Sequence, residues 1–189
     1  MKLIIVRHGE TEENVKEIHQ GHMPGNLSKE GKEQTKKLAL RLKDEKIDVI
    51  YSSDLKRAID TTKEIIKFHK NVKVFYTDKL REIHAGSFTG KTYKETKGLK
   101  FPEDSETIDQ LYVRGKNFLN EIYKKNKNST VLIVGHGMLN RAFVSVIMNK
   151  PAIYIREQET PGPTSVNVFE INENKKHKIH LLNSTEHLK

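Results

Sequence analysis

The sequence predicts an α/β fold of three layers, with helices on both faces of a mostly parallel central sheet. Three observations carry this prediction. Two apolar runs, Leu3–Val6 and Thr130–Val134, have the continuous hydrophobic character of strands buried on both faces. Amphipathic stretches at helical spacing alternate with further strand-like runs, as in crossover units. Each of the two apolar runs also feeds a histidine beside glycine, His8-Gly9 and Gly135-His136-Gly137, so one design occurs twice. The 189 residues fit one domain, 1–189, on a prior of roughly 100–200 residues per domain.

The elements follow in order. Leu3–Val6 is the first strand and ends at Arg7-His8-Gly9, where glycine permits a sharp bend. The polar stretch 14–26, with Gln20-Gly21 and Pro24-Gly25, reads as a loop folding back over the strand end. Ser28 is a cap for a helix running to about Lys46, with Gly31, Thr35, Leu38 and Leu42 on its inner stripe. The second strand is Ile47–Tyr51. Ser52, Ser53 and Asp54 offer caps for a helix over about Leu55–His69, which places Arg57 in its first turn. A third strand, Val72–Tyr76, leads to a glycine-containing loop carrying Glu82. Residues 91–104 are lysine-rich and irregular. Thr107 and Gln110 form a capping-box pattern for a long helix with Ile108, Leu111, Gly115, Phe118 and Ile122 inward. After Thr130–Val134 comes a helix over about Leu139–Met148. A proline-containing connection, 151–163, precedes a strand at Thr164–Ile171, a turn at Asn172–Lys176 and a last strand at Lys178–Leu182.

Composition narrows the function classes. With no cysteine, thiolate nucleophiles, disulfides and zinc–thiolate sites are excluded. Leu3–Val6 is too short for a signal-peptide core or a membrane span, so the expected setting is cytoplasmic, without membrane attachment. The net charge of +9 suits an anionic ligand. The lysines are scattered, however, and no basic patch interleaved with aromatics suggests nucleic acid as a partner.

In a parallel sheet the strand ends share one edge, so His8, Arg57, Glu82 and His136 are expected to converge there. Two imidazoles, the two guanidiniums of Arg7 and Arg57, and one carboxylate suit a phosphoryl group. Guanidinium forks bind its oxygens, a neutral His can attack phosphorus, and a second, protonated His can neutralise an oxygen. Glu82 is the natural proton donor to the leaving alkoxide. Two His plus a Glu also invite a metal reading, but the helical ligand spacing is absent and arginines repel a cation. A serine nucleophile lacks its G-x-S-x-G elbow. No metal or cofactor is expected.

The motifs resemble those of the histidine phosphatase superfamily, the phosphoglycerate mutase-like group. They are Arg7-His8-Gly9-Glu10-Thr11 with Asn14, Gln20-Gly21, Leu27-Ser28-Lys29-Glu30-Gly31 with Gln34, Ser53-Asp54-Leu55-Lys56-Arg57-Ala58, Glu82 with Gly86 and Gly90, a weakened Ser105-Glu106-Thr107, and Gly135-His136-Gly137. The resemblance spans nearly the whole chain. It implies a phosphoglycerate mutase-like fold, His8 as the nucleophile that becomes phosphohistidine, and Glu82 as general acid and later base. It also implies a phosphate pocket of Arg7, Arg57 and His136, with Asn14, Gln20, Gly21 and Gly137 adding hydrogen bonds. Thr89 and Asn26 depart from residues common in the family and bear on substrate preference.

The short segment between Gly90 and the long helix favours hydrolysis of small phosphorylated metabolites. The alternatives are a cofactor-dependent phosphoglycerate mutase and a non-catalytic phospho-ligand binder. The segments 91–104 and 150–163 are the expected substrate-choosing lids. Lys91, Lys94, Lys97 and Lys100 form either a second anion site or, more simply, a solvated run. The sequence leaves oligomeric state open.

Overall fold

A computed structural model describes residues 1–173 and 177–189. Six strands form one sheet in the order β3-β2-β4-β1-β5-β6. They are β1 (Lys2–Arg7), β2 (Val49–Ser53), β3 (Lys73–Thr77), β4 (Thr130–Gly135), β5 (Val166–Glu170) and β6 (Lys178–Ser184). The first four pair in parallel, while β5 and β6 run antiparallel at one edge. The helices are α1 (Glu12–Val15), α2 (Lys29–Leu42), α3 (Lys56–Ile65), α4 (Ile108–Lys125), α5 (Gly137–Ile147) and α6 (Tyr154–Glu157).

The apolar runs of β1 and β4 are continuous because each strand feeds two cores. Leu3, Ile5, Val131 and Ile133 face Leu111, Phe118, Ile122 and Phe143 of α4 and α5. Ile4, Val6, Leu132 and Val134 face Leu38, Leu42, Ala58 and Ile65 of α2 and α3. Side chains alternate across a strand, so a strand buried on both faces shows no polar alternation.

Several boundaries differ from the sequence reading, each for a local reason. The expected loop at 14–26 begins with the short helix α1, because Thr11 and Asn14 close a reciprocal capping box. Helix α2 stops at Leu42, short of Lys46. Strand β2 begins two residues later than expected and ends at the buried Ser52 and Ser53, whose polarity hides the strand. Thr62 Oγ1 donates to Ser52 Oγ at 2.9 Å, which makes that burial tolerable. Helix α3 starts without a side-chain cap, since Asp54 is committed to Arg81. It ends at Ile65, and residues up to His69 follow as tighter turns bonded three residues back. Connection 151–163 contains α6, and the tail adds a single helical turn at Glu186–Leu188. Of the expected turn Asn172–Lys176, residues 174–176 lie outside the described residues.

Gly9 matters for space rather than for bending. A Cβ there would lie 2.7 Å from the Gly31 carbonyl, and one on Gly31 would lie 1.9 Å from the Glu10 carbonyl. The first turn of α2 thus packs backbone to backbone against the segment that carries His8.

Candidate active site

Strand register brings the two histidine motifs together. β1 and β4 are parallel with Arg7 beside Gly135, and the His8 amide donates to the Gly135 carbonyl at 3.1 Å. The next residues, His8 and His136, therefore stand side by side with ring centroids 5.0 Å apart. Arg57, in the first turn of α3, is 1 % exposed and reaches between them. Its Nε donates to His8 Nε2 and to His136 Nδ1, both at 3.2 Å.

These bonds set the tautomers. His8 Nδ1 lies 2.7 Å from the Gly9 carbonyl, which can only accept, so Nδ1 carries the proton and Nε2 presents its lone pair. His136 accepts at Nδ1, so in the neutral ring Nε2–H is a donor; that atom is buried and has no protein partner. Burial, and then the charges of Arg57 and Arg7, hold the His8 pKa well below the usual imidazole value. Burial, Arg57 and His8 do the same for His136. The expected protonated His136 is therefore corrected: its Nδ1 accepts from Arg57, and a cation there would be desolvated beside a guanidinium.

Arg57 is also lowered, to about 10, chiefly by burial. Its terminal nitrogens hold the loop expected to fold over the strand end. Nη1 donates to the Met23 carbonyl at 2.5 Å and Nη2 to the Gly21 carbonyl at 3.0 Å. Gly25 sits at φ +68° under this guanidinium, and a Cβ there would fall 2.7 Å from Gln20 Oε1. Gln20 Oε1 and Arg7 Nε are buried without protein partners. Arg7 Nη1 donates to the Pro161 carbonyl at 2.6 Å. Asn14 lines the same cavity, but its Oδ1 is taken by Thr11.

Glu82 lies across the start of α5. Its carboxylate accepts from the Ile83 amide at 3.0 Å, the Met138 amide at 3.1 Å and the Leu139 amide at 3.2 Å. Helix amides and the macrodipole favour an anion at that position. Gly137 leaves room there, since a Cβ would lie 3.5 Å from Glu82 Oε2 and 3.8 Å from Arg7 Nε. A brace behind Glu82 was not legible in the sequence. Arg114 of α4 donates to the carbonyls of Lys79 at 2.9 Å, Arg81 at 2.8 Å and Glu82 at 3.3 Å. Glu106 holds that guanidinium at 2.8 and 2.7 Å, and His22 Nε2 donates to the Glu82 carbonyl at 2.9 Å.

The cavity over this edge has a volume of about 830 Å³. Arg7, His8, Asn14, Gln20, Gly21, Arg57, Glu82 and Gly137 all line it, and His136 backs it beneath Arg57. Both expected lids contribute, through Tyr93 and Phe101 on one side and Ile153 and Arg156 on the other. Lys91, Lys94, Lys97 and Lys100 are exposed and do not line it, so the solvated reading of that run holds. Arg141, on α5, lines the cavity and was not singled out in the sequence. The signal was its position four residues after Gly137, on the same helix face.

The chain belongs to the histidine phosphatase superfamily, branch 1, whose family model matches residues 3–185. Among curated relatives it is 37 % identical over 163 residues to phosphoserine phosphatase 1 of Hydrogenobacter thermophilus, covering 78 % of this chain and 76 % of that protein. Among solved structures it is similar to Bacillus stearothermophilus YhfR, with a TM-score of 0.92 at 24 % identity and coverage of 100 % and 99 %, a likeness of fold. It is also similar to the phosphoserine phosphatase of Entamoeba histolytica in complex with 3-phosphoglyceric acid. There the TM-score is 0.87 at 27 % identity, with coverage of 100 % and 99 %.

Proposed function

We propose that this protein is a phosphomonoester hydrolase that acts on small phosphorylated metabolites through a phosphohistidine formed on His8 Nε2. The observation that carries the reading is the His8 ring itself: neutral, its proton fixed on Nδ1 by Gly9, its Nε2 lone pair at the cavity wall, where Arg57 Nε donates to it and an incoming phosphorus would take that donor's place. Family membership and the relatives named phosphatases support it.

The roles follow from the geometry. Nε2 of His8 attacks phosphorus as the bond from phosphorus to the ester oxygen breaks. Glu82, in its protonated form, gives its proton to the departing alkoxide. Arg7 Nε and His136 Nε2–H are the unpartnered donors for the phosphoryl oxygens, and Arg57 Nε joins them when His8 Nε2 leaves it to attack, with Gln20, Asn14 and the Gly21 and Gly137 backbone around them. Such preset donors stabilise charge as it develops. In the second half-reaction Glu82 takes a proton from water, the oxygen attacks phosphorus, and the nitrogen–phosphorus bond breaks to return His8 and release phosphate. Arg57 already occupies the lone pairs of both imidazoles that face each other, so the pocket's cation is a guanidinium and a divalent ion lacks its donors.

The test is hydrolysis of para-nitrophenyl phosphate in excess EDTA, with vanadate as inhibitor. Turnover that survives EDTA and is blocked by vanadate supports the reading. Turnover lost in EDTA and restored by zinc or magnesium contradicts it. Isomerisation of a phosphoglycerate with a bisphosphate primer, exceeding its hydrolysis, would make the protein a mutase. Absence of any turnover would leave a phospho-ligand binder.

A further inference from the structure

Two guanidiniums that the phosphoryl chemistry does not use line the cavity, the half-buried Arg141 and the exposed Arg156. Arg141 lies on α5, one helical turn beyond Gly137, and helical geometry sets that separation at about 5–6 Å along the axis. It lines the cavity with Arg7, Glu82, Gly137 and Met138. No acidic side chain among the described residues forms an ion pair with it. Of the five N–H bonds of a guanidinium, one goes to the Gln158 carbonyl at 3.2 Å and one points at the Met138 thioether, a weak acceptor. Its Nε is buried with no protein partner. The guanidinium feels Glu82 and Tyr93 electrostatically while burial opposes its charge.

The helix backbone at Arg141 is tied from behind. Gln158 Nε2 donates to the Arg141 carbonyl at 3.0 Å and to Ser145 Oγ at 2.9 Å. The connection after α5 is thereby tied to the helix under the guanidinium. The Gln158 carbonyl in turn accepts from Arg141 Nη1, and a long side chain held at its tip loses less freedom when a ligand binds it.

We propose that Arg141 is the anchor of a second-anion subsite, which selects phosphomonoesters bearing a carboxylate two or three bonds from the ester carbon. The proposal rests on the phosphatase reading above. Charge matching argues for a carboxylate. The phosphoryl locus gathers two guanidiniums and two imidazoles for a dianion, whereas this locus offers one guanidinium, which pairs with a monoanionic carboxylate side-on. At the rim the carboxylates Glu103 and Asp109 outnumber the exposed Arg156 and disfavour a second dianion in the same cavity.

The test compares 3-phosphoglycerate with glycerol 3-phosphate, which share a skeleton and differ by a carboxylate in place of a hydroxymethyl group. Wild type is expected to prefer 3-phosphoglycerate by ten-fold or more in kcat/KM. Arg141→Met keeps the stem length and removes the charge. In it that preference should fall towards one, mainly through KM for 3-phosphoglycerate, and Arg141→Lys should recover part of it. A wild-type enzyme that hydrolyses both esters equally well overturns the subsite and leaves the phosphatase reading standing. So does a preference that persists in Arg141→Met, or an equal kcat loss with both esters, which would mean that Arg141 acts through Glu82. A protein that hydrolyses neither ester, nor para-nitrophenyl phosphate, removes the phosphatase reading itself.

Discussion

At the residue scale, the proposed chemistry divides between a nucleophile, His8, and an acid, Glu82, whose contributions separate by leaving group. An alkyl phosphate releases a strongly basic alkoxide that needs a proton, while para-nitrophenyl phosphate releases a stable phenolate that hardly does. Glu82→Gln should therefore slow phosphorylation of the enzyme far more with alkyl esters, and the amide can still occupy the start of α5. General acid catalysis typically supplies ~10²–10⁴-fold, which sets the expected gap. Single-turnover formation of the phosphoenzyme is the rate to measure, since loss of the later base function slows dephosphorylation for every substrate. Equal slowing of the first step with both substrates would remove Glu82 as the acid. The residues of this centre were legible in the sequence because each follows a strand end. What stayed hidden was their mutual effect. Nothing in one dimension says that one Arg57 nitrogen bridges both imidazoles, or that burial and that guanidinium hold His136 neutral.

At the scale of elements, close backbone packing and ordinary helix packing make opposite predictions for two glycines that look alike in sequence. Both lie on the inner stripe of an amphipathic helix. A Cβ on Gly31 meets the Glu10 backbone at 1.9 Å, whereas one on Gly115 meets Ala142 and Phe143 at 3.5 Å, an ordinary contact. Gly31→Ala should destabilise by about 1–3 kcal/mol or more, as over-packing does, and displace the turn that carries His8. Gly115→Ala should be neutral or stabilising by up to about 1 kcal/mol, from helix propensity. Urea denaturation with constant m-value would read both, and a Gly31→Ala protein as stable as wild type would contradict the backbone contact. The period of the stripe was readable at both positions. The difference was not, because it depends on what stands opposite in another segment. The same limit explains β2, where the strand continues through two serines that only a partner hydroxyl makes burial-tolerant, and Arg114, whose carbonyl partners come from a different element.

For the whole molecule, burying two neutral histidines makes stability depend on acid. Both folded-state pKa values lie well below the usual imidazole value, so the unfolded chain binds protons that the folded chain does not. Their contribution is present above about pH 6.5 and is lost as pH falls below it, at up to about 1.4 kcal/mol per pH unit for each histidine. The wild-type protein should lose stability between pH 6.5 and 5 more steeply than a His8→Gln, His136→Gln double variant. Parallel slopes would mean that the two imidazoles are not held neutral. Fold class, strand order along the chain and the shared edge were all readable from the repeated strand–histidine–glycine design. The last two strands were readable as well, from the alternation over Thr164–Ile171 and the turn after it, although their place at the sheet's antiparallel edge was not; nor was the helix inside the second lid, since a four-residue segment carries little periodic signal.

The bond between phosphorus and His8 Nε2 is the centre of the proposed chemistry. The direct measurement is rapid quenching of the wild-type protein with a radiolabelled phosphomonoester, followed by mapping of the label. The account predicts one acid-labile, base-stable phosphate on His8, formed and discharged at rates consistent with turnover, and no label in His8→Ala. Label on a serine or carboxylate, label retained in His8→Ala, or turnover with no covalent phosphate at all would contradict it.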